Sequence, residues 1–143
     1  MRIFLLILLF GQLTFSAEAS QIGDVKEANQ FWTAFRRAVL NSKLNQVISL
    51  TRFPFEIRGQ ADWMPVKYYK PGNFRPIFEE VMESPVSILS NGNFVEKSMI
   101  EIIIEKKTIT AKDWLTPKFI RIEDLEFQRI DGNWRFTGAY LDQ

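Results

Sequence analysis

The chain contains no cysteine and no histidine among its 143 residues. Without cysteine it forms no disulfide bonds, and it lacks the residue that carries the lipid of a bacterial lipoprotein. Without histidine it lacks the only side chain whose unperturbed pKa lies near neutrality. Ser-His-Asp and Cys-His catalysis are therefore excluded in their usual forms, and typical zinc, copper or haem sites are not expected. We expect neither a metal nor a cofactor.

An excess of charge of one sign is also missing. Lys and Arg number 18 and Asp and Glu 17, for a net charge of +1, so neither nucleic acid nor an anionic membrane is an expected partner. The sequence has no phosphate loop, no dinucleotide fingerprint and no complete calcium loop. Asp131-Gly132-Asn133 is better explained as a hairpin turn. The chemistry that remains belongs to carboxylates, lysine and tyrosine.

The only long apolar run lies at the start of the chain. It follows Arg2, ends at Phe10 and precedes the small-residue triplet Ala17-Glu18-Ala19, which is the layout of a secretory signal peptide. The run is shorter than the roughly 20 residues that span a membrane. We predict a signal peptide over residues 1–19, with Ala17 or Ser16 as other cleavage points. The mature domain, residues 20–143, would then be periplasmic or secreted and free of the membrane.

Three segments have apolar residues at helical spacing. The first runs from Asp24 to about Asn41, the second from Lys43 to Leu50, and the third from Phe74 to Met82 with Asn73 as its cap. These helices mostly precede a region with strand-like patterns.

Alternating or continuous apolar runs predict the strands. Phe53–Gly59 is one, with Pro54 placing it at a sheet edge or a strand start. The others are Val86–Leu89, Ser98–Thr110 as the longest, Phe119–Ile130, and a last strand with Trp134, Phe136, Gly138 and Tyr140 on one face. The order predicts a single α+β domain, in which N-terminal helices pack on a curved antiparallel sheet.

Two stretches resemble the nuclear-transport-factor-2-like, or cystatin-like, superfamily. One runs from Phe31 through Leu50 into Phe53-Pro54-Phe55, and the other is the closing hairpin Phe127–Phe136, where Asp131-Gly132 precedes Trp134. The resemblance implies a sheet curled around a long helix, leaving a conical cavity that serves as an enzyme pocket, as a ligand site or as neither. Its enzymatic members often use an aspartate–histidine pair, which this chain lacks.

An aromatic set is the first candidate site. It would line an apolar cavity for a small ligand, or alternatively fill the core. Its members are Trp32, Phe35, Phe55, Tyr68, Phe78, Trp114, Trp134, Phe136 and Tyr140.

A polar cluster at the expected cavity mouth is the second candidate. It comprises Arg58, Asp62, Lys67, Tyr68 and Tyr69. Asp62, buried beside Trp63, would be a general base with Tyr68 or Tyr69 as the acid. The alternative is a solvated loop.

The outer face of the sheet is the third candidate, as a surface for a homodimer or another partner. Its residues would be Glu101, Ile103, Glu105, Arg135 and Thr137, supplemented by Ala139 and Leu141. The alternative is cross-strand charge pairing in water.

These patterns favour a non-catalytic binding protein that holds a small apolar ligand or a protein partner, such as an inhibitor or immunity protein. The predicted binding residues are Trp32, Phe55, Arg58, Trp63, Lys67, Tyr68, Trp114 and Trp134. The alternative is a carboxylate-dependent small-molecule enzyme of the isomerase, dehydratase or hydrolase type.

Overall fold

The computed structural model describes the backbone of residues 13–142 and the side chains of residues 24–142. Its helices are α1 (Leu13–Leu40), α2 (Leu44–Ser49), α3 (Phe74–Glu83) and α4 (Met99–Glu105). Its strands are β1 (Thr51–Arg58), β2 (Lys67–Tyr69), β3 (Pro85–Ser90), β4 (Asn93–Ser98), β5 (Trp114–Thr116), β6 (Phe119–Ile122), β7 (Leu125–Ile130) and β8 (Asn133–Tyr140). Most of the predicted signal peptide, residues 1–12, lies outside the described residues, and the backbone of its remainder belongs to α1.

The strands form two separate sheets. Six of them lie in the order β2-β1-β8-β7-β6-β5, while β3 and β4 form a hairpin of their own. Strands β1 and β8 run parallel, and the other neighbours are antiparallel. The predicted α+β class is confirmed, although the main sheet is mixed and open. The conical cavity stays a prediction.

Helix α1 packs its apolar stripe against the inner face of the main sheet. The Phe35 ring lies 5.2 Å from that of Phe127 and 4.9 Å from that of Phe136, while Phe55 lies 4.7 Å from Phe136. Rings at these distances are in direct contact. The aromatic side chains thus join the helix to β1, β7 and β8 in one core.

The predicted long strand Ser98–Thr110 is wrong, because its first half is helix α4. Ser98 Oγ accepts a hydrogen bond from the Glu101 backbone N–H at 3.4 Å, and Glu101 Oε2 accepts from the Ser98 N–H at 2.7 Å. This capping box starts a helix in spite of the isoleucines that follow it. Met99, Ile102 and Ile103 are the buried residues, at the i, i+3, i+4 spacing of one helical face.

Polar side chains of α1 hold the end of α4. Trp32 Nε1 donates to the Lys106 carbonyl at 2.9 Å, and Arg36 donates to the carbonyls of Ile103 at 2.8 Å and Ile104 at 2.6 Å. The last carbonyls of a helix lack partners within the helix itself. The three hydrogen bonds from Trp32 and Arg36 supply these missing partners.

The other predicted elements are present with local differences. The helices expected from Asp24, Lys43 and Phe74 are confirmed, and Phe119–Ile130 divides into β6 and β7. The Asn73 side chain accepts from the Lys70 N–H at 2.7 Å, so it caps the 3-10 turn before α3 rather than α3 itself.

A bulge changes the facing of the last strand. Phe136 pairs with Phe127, whereas Gly138 pairs with Glu126, so Thr137 is an extra residue in β8. Trp134 and Phe136 face the core as expected. Beyond the bulge Ala139 faces inward, and the prediction that Gly138 and Tyr140 share the face of Phe136 is wrong.

Candidate functional site

Most of the predicted aromatic lining lies in the core, although Phe78 also lines the smaller groove described below. Trp32, Phe55 and Trp134 are buried, and Trp114 packs edge-on against Trp134 with ring centroids 5.5 Å apart. None of these four side chains lines either of the two concavities described below. Their part in binding a ligand stays a prediction.

The predicted mouth residues are spread over two faces. Asp62 is exposed in the loop between β1 and β2, so it lacks the burial that its role as a base presupposed. Tyr68 is 60% exposed opposite Glu56, while Tyr69 lies opposite Phe55 and packs against the core. Neighbours in a strand point to opposite faces. Tyr68 and Tyr69 therefore point to opposite faces of the sheet, and the role of either one as the acid stays a prediction.

The predicted outer patch also comes apart. Glu101, Ile103 and Glu105 belong to α4, where Ile103 is fully buried and Glu101 caps the helix. Arg135 and Thr137 lie on β8. The expectation of one continuous sheet-face patch from these residues is wrong, because Met99–Glu105 is a helix and not a strand of the main sheet.

A different set of polar residues crosses the outer face of the main sheet. The strand register places them side by side on β2, β1, β8, β7 and β6. We call this set the outer row: Tyr68, Glu56, Gly138, Glu126 and Arg121. Of these, only Tyr68 was among the predicted site residues.

Two arginines hold the Glu56 carboxylate in the outer row. Arg52 Nη2 lies 3.3 Å from Glu56 Oε1, and Arg58 Nη2 lies 2.7 Å from Oε2. The hydrogen bond to Glu56 raises the pKa of Arg58 above its ordinary value. The negative charge of Glu126 and the hydrogen bond with Tyr140 also raise this pKa, whereas burial lowers it. Arg58, a predicted binding residue, is thus a permanent cation on this face.

Glu126, in the same row, is only 3% exposed. It lies beside Gly138: a Cβ added there would stand 3.5 Å from Glu126 Oε2 and 2.8 Å from the Glu56 carbonyl oxygen. Neither Glu126 nor Gly138 was predicted from the sequence to be a site residue. The available signal was a glycine inside a strand, which often marks a close approach.

A polar cleft of about 580 Å³ lies next to the outer row. Residues lining it include Gln60, Ser87, Lys112, Asp113, Leu115, Arg121, Glu123, Asp124 and Asp142. Burial raises the pKa of the Asp124 carboxyl, while the hydrogen bond from Gln60 Nε2 at 3.5 Å and the Arg121 charge lower it. The Arg121 guanidinium stacks 4.1 Å above the Tyr140 ring and joins the cleft to the outer row. A second, smaller groove of about 290 Å³ lies among α1, α2 and α3.

The β3–β4 hairpin presents apolar side chains to solvent. Leu89 and Phe94 are a cross-strand pair beside the Asn91-Gly92 turn, and they are 64% and 80% exposed. Ser87 and Glu96 pair two residues further from the turn, on the same side. We call these four residues the hairpin face. Because Ser87 also lines the polar cleft, the two surfaces are continuous.

Comparison with known proteins gives no relative. No family model matches the chain, and neither a curated protein nor a solved structure matches it significantly. Residues 13–142 include no helix with the length and apolar character needed to cross a membrane. Among the side chains of residues 24–142, no three acidic groups lie close enough together to hold a metal ion.

Proposed function

We propose that the protein is a non-catalytic binding module that docks a protein partner on its hairpin face. The observation that carries the proposal is the exposed Leu89–Phe94 pair. Large apolar side chains concentrated on one exposed surface mark interaction sites more often than scattered ones do. In many interfaces, a few aromatic residues and the residues packed around them contribute most of the binding free energy.

The hairpin is also incomplete as a sheet. Neither β3 nor β4 pairs with a third strand in the described chain. A ribbon of two strands is only marginally stable alone, and its edges offer unpaired backbone groups. A partner that covers Leu89 and Phe94 would remove apolar surface from water and stabilise the ribbon.

The polar cleft supplies a charged border to this surface. Its lining has two cations, Lys112 and Arg121, and four acids, Asp113, Glu123, Asp124 and Asp142. Lys106 Nζ lies 2.7 Å from Asp113 Oδ2 and neutralises that acid, so the local charge is −1. Interfaces commonly combine an apolar centre with a polar rim, and complementary charge favours association. The partner that fits is a protein surface with an apolar patch beside lysine or arginine.

Two alternatives have less support. A small apolar ligand would need the aromatic lining, most of which instead packs in the core around Phe35 and Phe136. A carboxylate enzyme based on Asp62 would need that residue buried, and it is exposed. An inhibitor or immunity protein remains the concrete form of the binding hypothesis.

Crosslinking followed by affinity measurement tests the proposal. A photo-crosslinking amino acid replaces Phe94 and, as a control, exposed Lys118 in the β5–β6 turn. We expect one discrete adduct from position 94 only. The purified partner should then bind Phe94→Ala roughly 30-fold more weakly than the parent chain, since an anchor contributes about 2 kcal/mol.

The matched control is Lys118→Ala, which should leave the affinity unchanged. Equal affinity of the parent chain and Phe94→Ala would reject the hairpin face, and so would adducts of equal yield at both crosslinking positions.

A further inference from the structure

We infer that two copies of the chain pair along the free edge of β4, antiparallel and centred on Val95, so that their hairpins form one four-stranded sheet. The inference concerns the edge of the hairpin, whereas the proposed function concerns the hairpin face. The two are therefore independent, and pairing along the edge leaves both hairpin faces open to a partner.

Among the sheet edges of the described chain, β4 is the least protected. The edges of the main sheet, β2 and β5, have three residues each, and short edge strands seldom pair with another chain. The free edge of β3 begins at Pro85 and borders the polar cleft. Strand β4 has six residues, contains no proline and pairs with β3 without a bulge. It therefore offers a regular edge to an incoming strand.

The turn determines which backbone groups of β4 point to this edge. Asn91-Gly92, with both residues at positive φ, forms a two-residue hairpin turn, which closes with a hydrogen bond between Ser90 and Asn93. Hydrogen-bonded and non-hydrogen-bonded pairs alternate from there on. The N–H and C=O of Phe94 and Glu96 therefore point away from β3. In the described chain these groups have no backbone partner outside the hairpin.

A second copy of β4 satisfies all of these groups together. When Val95 lies opposite Val95 of the other copy, Phe94 of each strand forms a hydrogen-bonded pair with Glu96 of the other. Every outward N–H then has an outward C=O as its acceptor. The arrangement has two-fold symmetry, which is the commonest symmetry of soluble oligomers.

The side chains of β4 are compatible with this register. Val95 is 41% exposed and would pack on its own copy, which removes apolar surface from water. Glu96 would lie opposite Phe94, and Lys97 opposite Asn93, so no like charges are directly opposed. Because β4 has one acid and one base, its net charge does not repel a second copy.

The neighbouring registers are less favourable. A register centred on Glu96 would place the two Glu96 carboxylates directly opposite each other, which is destabilising. A register centred on Phe94 would bring Glu96 against Gly92, where the strand has ended and the turn begins. The register centred on Val95 therefore makes the most hydrogen bonds without opposing like charges.

Sedimentation velocity of the intact protein at rising concentration tests the inference. We expect a reversible dimer. Glu96→Pro removes the outward N–H but none of the hydrogen bonds within the hairpin, a position where an edge strand accepts proline. It should raise the dissociation constant of the dimer at least about 30-fold, since one hydrogen bond is lost from each copy. Glu96→Ala is the matched control, because it removes the same side chain but keeps the N–H, and it should dimerise like the parent chain.

An introduced cysteine gives a second measurement, since the chain has none of its own. Val95 and its copy would be a non-hydrogen-bonded pair with Cα atoms about 4.5 Å apart, which is within the range of a disulfide. Val95→Cys should therefore oxidise to a covalent dimer at least about tenfold faster than Lys118→Cys, because pairing raises the local thiol concentration. This measurement remains valid if thermal unfolding shows that Glu96→Pro is not folded.

Leu89→Ala separates this inference from the proposed function. Leu89 belongs to the hairpin face but lies on β3, away from the paired edge. Its loss should weaken docking of the partner and leave the dimer unchanged, so either proposal can fail alone. A chain that stays monomeric at its highest soluble concentration, dimerisation of folded Glu96→Pro equal to that of Glu96→Ala, or equal oxidation of Val95→Cys and Lys118→Cys would overturn the inference.

Discussion

Gly138 shows how much a single missing side chain determines on this sheet. Its position lies between Glu56 and Glu126, on the outer side of β8 just past the bulge at Thr137. The absent Cβ leaves room for the Glu126 carboxylate and for the close approach of β1. A glycine in a strand is otherwise unfavourable. Its presence here is explained by the close approach of Glu126 and β1, which a side chain would prevent.

Replacing Gly138 with alanine should therefore destabilise the protein. The new Cβ would lie 2.8 Å from the Glu56 carbonyl oxygen, and a backbone atom moves only at a cost. We expect a loss of about 1–3 kcal/mol in the free energy of unfolding, measured by urea denaturation. Gly72→Ala is the control, because nothing lies within 4 Å of its added Cβ. An equal effect of the two substitutions would contradict the packing explanation.

Among the elements, α4 is the one for which two sequence signals disagree: its residue composition favours a strand, and its capping box favours a helix. The run Met99–Glu105 contains four isoleucines, and β-branched residues favour strands. The signal that decides is Ser98-x-x-Glu101, which was legible in the sequence as a capping box. The bonds from Trp32 and Arg36 to the end of α4 were not predictable, because they join residues 67 to 74 positions apart.

Ser98→Ala should weaken α4 specifically. The substitution removes the side-chain oxygen that accepts from the Glu101 N–H, and the loss of such a cap costs about 1 kcal/mol. Hydrogen exchange should show faster exchange in residues 99–105, with Ser90→Ala as the control at the end of β3. Faster exchange in β7 and β8 to the same extent would argue that the cap stabilises the whole fold instead.

The same capping box makes α4 sensitive to acid. The backbone hydrogen bond from Ser98 lowers the pKa of Glu101 below its ordinary value. A carboxyl with a lowered pKa in the folded state stabilises that state above its unfolded pKa. This contribution is lost as the pH falls through the folded value, so hydrogen exchange in residues 99–105 should become faster at low pH.

At the scale of the whole molecule, the sequence supported the fold class better than the site. The α+β order, the three confirmed helices and the Asp131-Gly132 hairpin follow from local periodicity and turn chemistry. The parallel pairing of β1 with β8 and the juxtaposition of Glu56 and Glu126 depend on contacts between distant residues. Local patterns do not contain that information.

The same type of substitution at two positions, Phe35 and Phe94, tests the division between the core and the hairpin face. Phe35→Ala should cost about 3–5 kcal/mol, because its ring packs against Phe127 and Phe136. Phe94→Ala should change the free energy of unfolding by less than about 0.5 kcal/mol, because its ring is already 80% exposed. Denaturation of both variants under one set of conditions gives the comparison. A large loss from Phe94→Ala would mean that the hairpin needs this ring for its own folding.

Helix α1 runs without a break from Leu13 to Leu40, and so passes through the bond after Ala19. Proteases cut chains most readily where the backbone is exposed and able to extend, which a formed helix prevents. If the chain is exported as predicted, the signal peptide (the leader) has to be removed before this segment folds into a helix. Processing would then depend on timing, and a precursor that folds early would keep its leader.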